Sequence, residues 1–203
     1  MDIAKFIDHS ILRPNHTLKD LEEQVRQCIE LGVYAVCVNP FWVRRVVETS
    51  GGRLVVCSVV SFPFGLDTKE QEVMQAVRAL EDGAGELDIV LNISAFKSGL
   101  YGYVKEELKA IARNTEGVVK KVIIETAYLS EEEKRLAVEL IANMGMAFVK
   151  TSTGYAPSGA TEEDIKLLKA SGGIRTRTQV LRFLELGVER IGTSSTFEIL
   201  GKD

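Results

Sequence analysis

The chain has few of the residues that build metal centres and disulfide frameworks. It has two histidines, His9 and His16, and three cysteines, Cys28, Cys37 and Cys57. Two histidines are too few for a multi-histidine metal site. Three cysteines, odd in number and without metal-type spacing, point to a reduced, cytoplasmic protein instead. Positive charge is also in deficit: 25 Lys and Arg stand against 29 Asp and Glu, for a net charge of −4 and a pI near 5.4. No global field therefore favours nucleic acid or an anionic membrane, and any recognition of phosphate has to be local. No apolar run approaches the roughly 18 residues of a membrane span, and an N-terminus charged from Asp2 onward does not read as a signal peptide. Asn and Gln are few beside Glu, Lys and Arg, a pattern seen in thermophiles. No linker, repeat or low-complexity stretch divides the 203 residues, so residues 1–203 are expected to form a single domain.

What is present is an alternation. Short β-branched runs such as Val33 to Asn39, Arg53 to Phe62, Glu86 to Asn92 and Lys121 to Thr126 are nearly continuous in apolar residues, as strands buried on both faces are. Amphipathic stretches separate them: Thr17 to Leu31, Val43 to Glu48, Thr68 to Asp82 (with Val73, Met74, Val77 and Leu80 along one side), Tyr103 to Asn114, Ser130 to Met144 and Arg177 to Leu186. Thr17 with Asp20, and Ser130 with Glu133, carry the capping-box signature of helix starts. Strand–helix alternation implies parallel strands with helices outside. Counting the opening Lys5–Leu12 segment, a strand ending at Lys150, one near Lys169 and a last one at Arg190 to Ser195 gives eight, which suits a (β/α)8 TIM barrel. A doubly wound sheet is the alternative, weakened because no G-x-G-x-x-G opens the first helix. Polar residues near most strand ends (Asp8, Asn39, Asp88, Asn92, Glu125, Lys150, Lys169 and Ser194) favour the barrel, whose site is gathered from all its strands.

The most informative stretch is Phe148-Val149-Lys150-Thr151-Ser152-Thr153-Gly154-Tyr155. An apolar run delivers one lysine and then breaks into hydroxyls and glycine. Lys is almost never fully buried unpaired. A second run, Lys169-Ala170-Ser171-Gly172-Gly173-Ile174-Arg175, repeats the design. An unprotonated lysine attacks a carbonyl and forms a Schiff base. Bringing a lysine from its ordinary pKa near 10.4 towards neutrality costs about 4 kcal/mol. A second ammonium about 5 Å away supplies roughly 3 kcal/mol at an effective dielectric near 20, and partial desolvation adds to it. Asp88, flanked by Leu87, Ile89, Val90 and Leu91, is the carboxylate expected inside; it either holds a lysine in a salt bridge or relays protons through water. Backbone N–H groups of Gly154, of Gly172-Gly173-Ile174 beside Arg175, and of Gly192-Thr193-Ser194-Ser195 are candidates for an anion site. Cys37 reads as a packing residue, and His9, facing away from Asp8, as structural.

Taken in order, the blocks around Ile7-Asp8-His9, Ala35-Val36-Cys37-Val38-Asn39-Pro40, Ser61-Phe62-Pro63, Glu86 to Asn92, Val122 to Thr126, Val149 to Gly154, Lys169 to Arg175 and Arg190 to Ser195 resemble the deoxyribose-phosphate aldolase family. The resemblance implies a class I aldolase in a (β/α)8 barrel, with neither metal nor other cofactor. It would cleave 2-deoxy-D-ribose 5-phosphate reversibly to acetaldehyde and D-glyceraldehyde 3-phosphate, within deoxyribonucleotide catabolism. Lys150 matches the family's Schiff-base lysine, Lys169 the lysine that tunes it, and Asp88 the relay carboxylate. Gly172, Gly173, Gly192, Ser194 and Ser195 match phosphate contacts, and Cys37 a cysteine near the site. The expected partners are small molecules, a phosphorylated sugar and acetaldehyde, with no nucleic acid or membrane, and with a second copy of the chain in a homo-oligomer. Two other readings stand beside it: a Schiff-base aldolase for another aldehyde pair, and a catalytically silent phosphosugar-binding barrel.

One interval departs from the family. Only 17 residues separate Thr151 from Lys169, and Asp164 to Leu168 reads as helix, so the crossover before strand seven is shortened or incomplete. A parallel crossover takes about a dozen residues or more. The spacing predicts either a stretch missing between Leu168 and Lys169, with their Cα atoms well beyond the roughly 3.8 Å of joined neighbours, or a true shortening that would take Lys169 away from Lys150.

Overall fold

The structure is a computed structural model, and it describes residues 2–164 and 174–201. The chain alternates as the pattern predicts: β1 (Ile7–Ile11), α1 (Leu18–Glu30), β2 (Ala35–Val38), α2 (Val43–Ser50), β3 (Val55–Val60), α3 (Lys69–Glu81), β4 (Glu86–Val90), α4 (Ile93–Lys97), α5 (Tyr101–Asn114), β5 (Val119–Ile123), α6 (Glu131–Ala142), β6 (Phe148–Lys150), α7 (Arg177–Glu185), β7 (Ile191–Thr193) and α8 (Thr196–Leu200). Helix starts are set by local chemistry. Thr17, Thr68, Ser130 and Thr176 each accept a hydrogen bond from the amide three residues on, and the residue there returns one to the cap amide. Such reciprocal caps satisfy two of the amides a helix start leaves unpaired.

Every strand pair is parallel, and the lateral order is β6-β5-β4-β3-β2-β1-β7. A doubly wound sheet would reverse direction at a switch point. Here the order runs steadily and sets β7 beside β1, as a sheet curling round on itself must. Seven of the eight expected strands lie among the described residues. The position between β6 and β7 is the one the Lys169 strand was expected to take, and Lys169, Gly172 and Gly173, like the predicted break after Leu168, lie outside the described residues. Both flanks of that interval are described. Thr161 and Asp164 exchange amide-to-side-chain hydrogen bonds at 3.1 Å each, as a helix start does, and the Ile174 carbonyl accepts from the Thr193 hydroxyl at 2.5 Å.

Two apolar groups flank the sheet. The larger fills the layer between strands and helices, with Ile7, Val36, Leu87, Ile89, Val122 and Ile191 from the outward strand positions. The smaller, Cys37, Cys57 and Val59 with Leu12 and Phe62, comes from alternate positions of the same strands and occupies the inside. Period-2 alternation thus sends one set of residues to the helices and the other to the interior.

Two expectations need correcting. The face of α3 that packs inward is Glu72, Ala76 and Ala79, while Met74 is 68% exposed. The strand expected over Lys121 to Thr126 starts two residues earlier and ends three earlier, Val119–Ile123, and Glu125 follows it in the left-handed region (φ 49°).

Candidate active site

The inward positions of four strands carry charge. Asp8 on β1, Glu86 and Asp88 on β4, Lys121 on β5 and Lys150 at the end of β6 are all buried. Register explains their meeting: Asp88 is paired with Lys121 across β4–β5, and Ile123 with Lys150 across β5–β6. Lys121 Nζ lies 2.8 Å from Asp88 Oδ1, 2.7 Å from Glu86 Oε2 and 3.8 Å from Asp8 Oδ2. Arg190, entering just before β7, closes the base, 2.5 Å from Asp8 Oδ1 and 3.0 Å from Glu86 Oε2. Lys150 Nζ is bonded to the other oxygen of Asp88, Oδ2. Three carboxylates therefore face three cations, which is how buried charge is tolerated.

Asp88 is the hinge of this arrangement, since each of its oxygens holds a different lysine. Burial alone would raise its pKa; the ammonium groups of Lys121 and Lys150 outweigh that and hold the carboxyl well below the usual range. Burial acts on Lys150 in the opposite sense and would lower it, but the Asp88 carboxylate prevails and holds it above the ordinary lysine value. The resting state is thus an ion pair. Asp8, further from compensation, is raised by burial against the pull of Lys121 and Arg190.

Cys37 and Cys57, paired in register across β2–β3, approach Asp88 at 3.6 Å and 3.2 Å. With Asp88 they are the one group of potential metal ligands within 4.8 Å of one another among the described residues. Two ammonium groups already occupy both oxygens of that carboxylate, so the donor set is satisfied by protein cations. Burial pushes the Cys57 thiol well above its usual value, which disfavours the thiolate a metal needs.

Above the charges opens a cavity of about 410 Å³, with Asp88, Ile123 and Lys150 at its floor. Ser152, Thr153, Gly154 and Tyr155 form one wall, and Ile174, Arg175, Gly192 and Ser194 another. The loop after Lys150 is gripped by the turn that follows β5: the Glu125 carboxylate accepts from both the amide and the hydroxyl of Thr153, and the Thr126 amide donates to the Thr151 carbonyl at 2.9 Å. Its far end reaches across the mouth, where Tyr155 Oη donates to the Leu12 carbonyl at 3.0 Å. The structure thus brings together Lys150, Asp88, Gly154, Ile174, Arg175, Gly192 and Ser194, with Cys37 just beneath. Ser195 caps α8, its amide donating to Thr193 Oγ at 3.0 Å. His9 faces outward, Nδ1 at 2.8 Å from Thr196 Oγ1 and Nε2 at 3.1 Å from Gln24 Oε1. Burial lowers its pKa to about 4, which fits the structural role expected of it.

Lys121, Glu86 and Arg190 were not among the site residues expected from sequence. The signal was available in part: two consecutive lysines inside an apolar strand cannot both face out, since neighbours alternate. Lys120 takes the outward position and donates to the carbonyls of Thr115 and Val118 at 2.8 Å each; Lys121 takes the inward one.

Fold and site together define a class, an α/β-barrel enzyme whose buried lysine–carboxylate pair lies under a pocket at the strand ends. The chain belongs to the family described as DeoC/LacD family aldolase, whose model matches residues 3–180. The deoxyribose-phosphate aldolase of Aquifex aeolicus is 47% identical over 209 residues, covering 98% of this chain and 95% of its own. That of Thermococcus gammatolerans is 46% identical over 215, covering 98% and 96%. Among solved structures, one described as QR15, an aldolase, matches with a TM-score of 0.95 at 47% identity, covering 98% of this chain and 95% of that one. The tetrameric deoxyribose phosphate aldolase of Aeropyrum pernix matches at 0.87 and 30%, covering 98% and 89%. A 209-position alignment that covers 98% of 203 residues leaves about ten positions of the A. aeolicus relative unmatched.

Proposed function

We propose that the chain is a class I aldolase that reversibly cleaves 2-deoxy-D-ribose 5-phosphate into acetaldehyde and D-glyceraldehyde 3-phosphate, with Lys150 as the Schiff-base lysine. The observation that carries this is a buried lysine at the floor of a pocket, bonded to one oxygen of a carboxylate whose other oxygen holds a second lysine. Lys150 Nζ must first give up a proton, and Asp88 Oδ2 is the base in contact with it. The free amine then adds to the substrate aldehyde carbon, and water leaves to give the iminium. Removal of the proton from the C3 hydroxyl breaks the C2–C3 bond, whose electrons pass to the iminium as an enamine. The phosphorylated aldehyde departs, the enamine takes a proton at C2, and water releases acetaldehyde and restores the lysine. Lys121 holds Asp88 in place while Lys150 reacts. Lys169 is assigned the tuning role suggested by the family resemblance. The phosphate is assigned to the wall formed by Gly154, Gly172, Gly173, Ile174, Arg175, Gly192, Ser194 and Ser195. No step calls on a metal.

The test is trapping. Borohydride with acetaldehyde should add a two-carbon group to Lys150, read by peptide mass, and Lys150→Ala should abolish it while a chelator changes nothing. Label on another lysine, or activity lost to the chelator, would overturn the reading. Absence of any adduct would favour the silent phosphosugar-binding barrel.

The same reading extends to setting. Buried, unpaired Cys28, Cys37 and Cys57 suit a reducing cytoplasm, and no helix among the described residues is long and apolar enough to cross a membrane. Homo-oligomerisation is supported by the exposure of Phe41, Phe64, Leu66 and Met74, 62–82% exposed after β2 and β3 and on α3, since large apolar side chains left in water are available for burial against a second copy. Light scattering that gives the 22.4 kDa of one chain would refute it.

A further inference from the structure

The cavity has a charged residue that no sequence motif singled out. Arg13, in the loop between β1 and α1, lines the pocket and is exposed. Its guanidinium has no hydrogen bond or ion pair among the described residues, whereas Arg44, Arg45, Arg78, Arg182 and Arg190 each hold a carboxylate. Its place on the rim is fixed. The preceding carbonyl, Leu12 O, accepts from Asn39 Nδ2 at 3.1 Å and from Tyr155 Oη at 3.0 Å, and Pro14 follows with its restricted φ. Of the described charged residues that line the cavity (Arg13, Asp88, Lys150 and Arg175), the one carboxylate is already held by Lys121 and Lys150. Among the described residues, the mouth therefore presents two guanidinium groups and no neutralising acid, in a chain whose net charge is −4.

We infer that Arg13 is a specificity-determining residue that, together with Arg175, binds the phosphomonoester end of the substrate across the mouth from Lys150. A phosphomonoester carries about −1.5 to −2 charges at pH 7. Backbone amides of the glycine loops orient such a group but bring no net charge, so one guanidinium leaves it half compensated and two match it. The planar fork of Arg also bonds phosphate in bidentate fashion. Arg13 thereby sets the preference for phosphorylated over unphosphorylated sugars without touching the carbon–carbon chemistry at the floor. The inference rests on the proposal that a phosphorylated substrate occupies this pocket.

The experiment compares the whole chain with Arg13→Gln and Arg13→Lys on 2-deoxy-D-ribose 5-phosphate, on unphosphorylated 2-deoxy-D-ribose, and with inorganic phosphate as competitor. Loss of a charge-assisted contact should raise KM for the phosphate ester about 10- to 100-fold in Arg13→Gln, with kcat nearly unchanged, as expected when uniform binding is lost. The inhibition constant of phosphate should rise in step. Turnover of the unphosphorylated sugar should stay within about twofold, because its reaction never engages the rim. Arg13→Lys should recover part of the loss. Added salt should weaken the wild-type preference and have little left to weaken in Arg13→Gln, because exposed charge is screened. Equal losses for both sugars, or none for either, would overturn the inference. If phosphate competes equally well with wild type and Arg13→Gln, Arg13 alone is wrong; if it fails to compete with wild type, the phosphate assignment of the pocket falls as well.

Discussion

Lys120 and Lys121 are adjacent in sequence, buried alike, and differ in what they hold. Lys121 neutralises Asp88 and Glu86 at 2.8 and 2.7 Å with Asp8 at 3.8 Å; Lys120 donates to two backbone carbonyls. Removing one partner of a buried ion pair leaves uncompensated charge, at about 3–5 kcal/mol. Lys121→Met should therefore lower unfolding free energy by that amount in urea titrations, whereas Lys120→Met, which deprives two carbonyls of a donor, should cost about 1–2 kcal/mol. Equal costs would mean that the inward network adds nothing to stability. The pair also shows where sequence reading stopped. Lys150 stood out because its strand ends in hydroxyls and glycine. Asp88 stood out because every neighbour is apolar. Lys121 had the same apolar context, but whether it or Lys120 faces inward is set by where β5 begins, and that start was misplaced by two residues.

Among the elements, α3 and α5 present a contact that hydrophobic patterning could not foresee. Glu72 of α3 is fully buried with neither carboxylate oxygen hydrogen-bonded, and Glu107 of α5 is 1% exposed with Oε1 unbonded. Burial, then the charge of Glu107, pushes Glu72 up to about 8, with the Ser61 hydroxyl opposing the rise without a well-aimed hydrogen bond. Burial likewise pushes Glu107 up to about 7. An acid whose folded pKa exceeds its unfolded value binds its proton more tightly when folded. Its contribution is intact below the ordinary 4.5 and is lost as pH rises through the folded values, at most about 1.4 kcal/mol for every pH unit climbed between the two. The melting temperature should accordingly fall from pH 5 to pH 8, and Glu72→Gln should flatten the fall and gain stability at pH 8. A variant that loses equally at both pH values would show that the proton is not what this contact holds. Carboxylates rank among the least buried side chains, so hydrophobic periodicity selected Met74 for the inner face and left Glu72 outside. Helix starts were far more legible, because a cap is a local hydrogen bond: Thr17 and Ser130 were each identified from two residues.

For the whole molecule, the topology followed from alternation, and the interval between β6 and β7 is where the chain departs from its family. The helix start at Thr161 and the docking of Ile174 on Thr193 are both in place, which leaves residues 165–173 to link them. A helix rises about 1.5 Å per residue, and a typical strand climbs roughly 17 Å over five or six residues. The helix, turn and strand expected from sequence call for a crossover longer than the nine residues between Asp164 and Ile174. The A. aeolicus relative carries about ten further positions somewhere along the chain, and this interval is where the spacing falls short. Lengthening the chain between Leu168 and Lys169 by about ten residues should therefore let Lys169 reach Lys150, lower the ammonium pKa there and speed borohydride trapping of acetaldehyde near neutral pH. Lys169→Leu in the lengthened chain should cancel the gain and move the rate profile to higher pH. The opposite outcome is equally informative. If the 203-residue chain already traps as fast as the lengthened one, and Lys169→Leu shifts its pH profile, the short interval suffices to set the two lysines together. If neither lengthening nor Lys169→Leu changes the rate, Lys169 plays no part, and the Asp88–Lys121 pair alone governs the proton on Lys150.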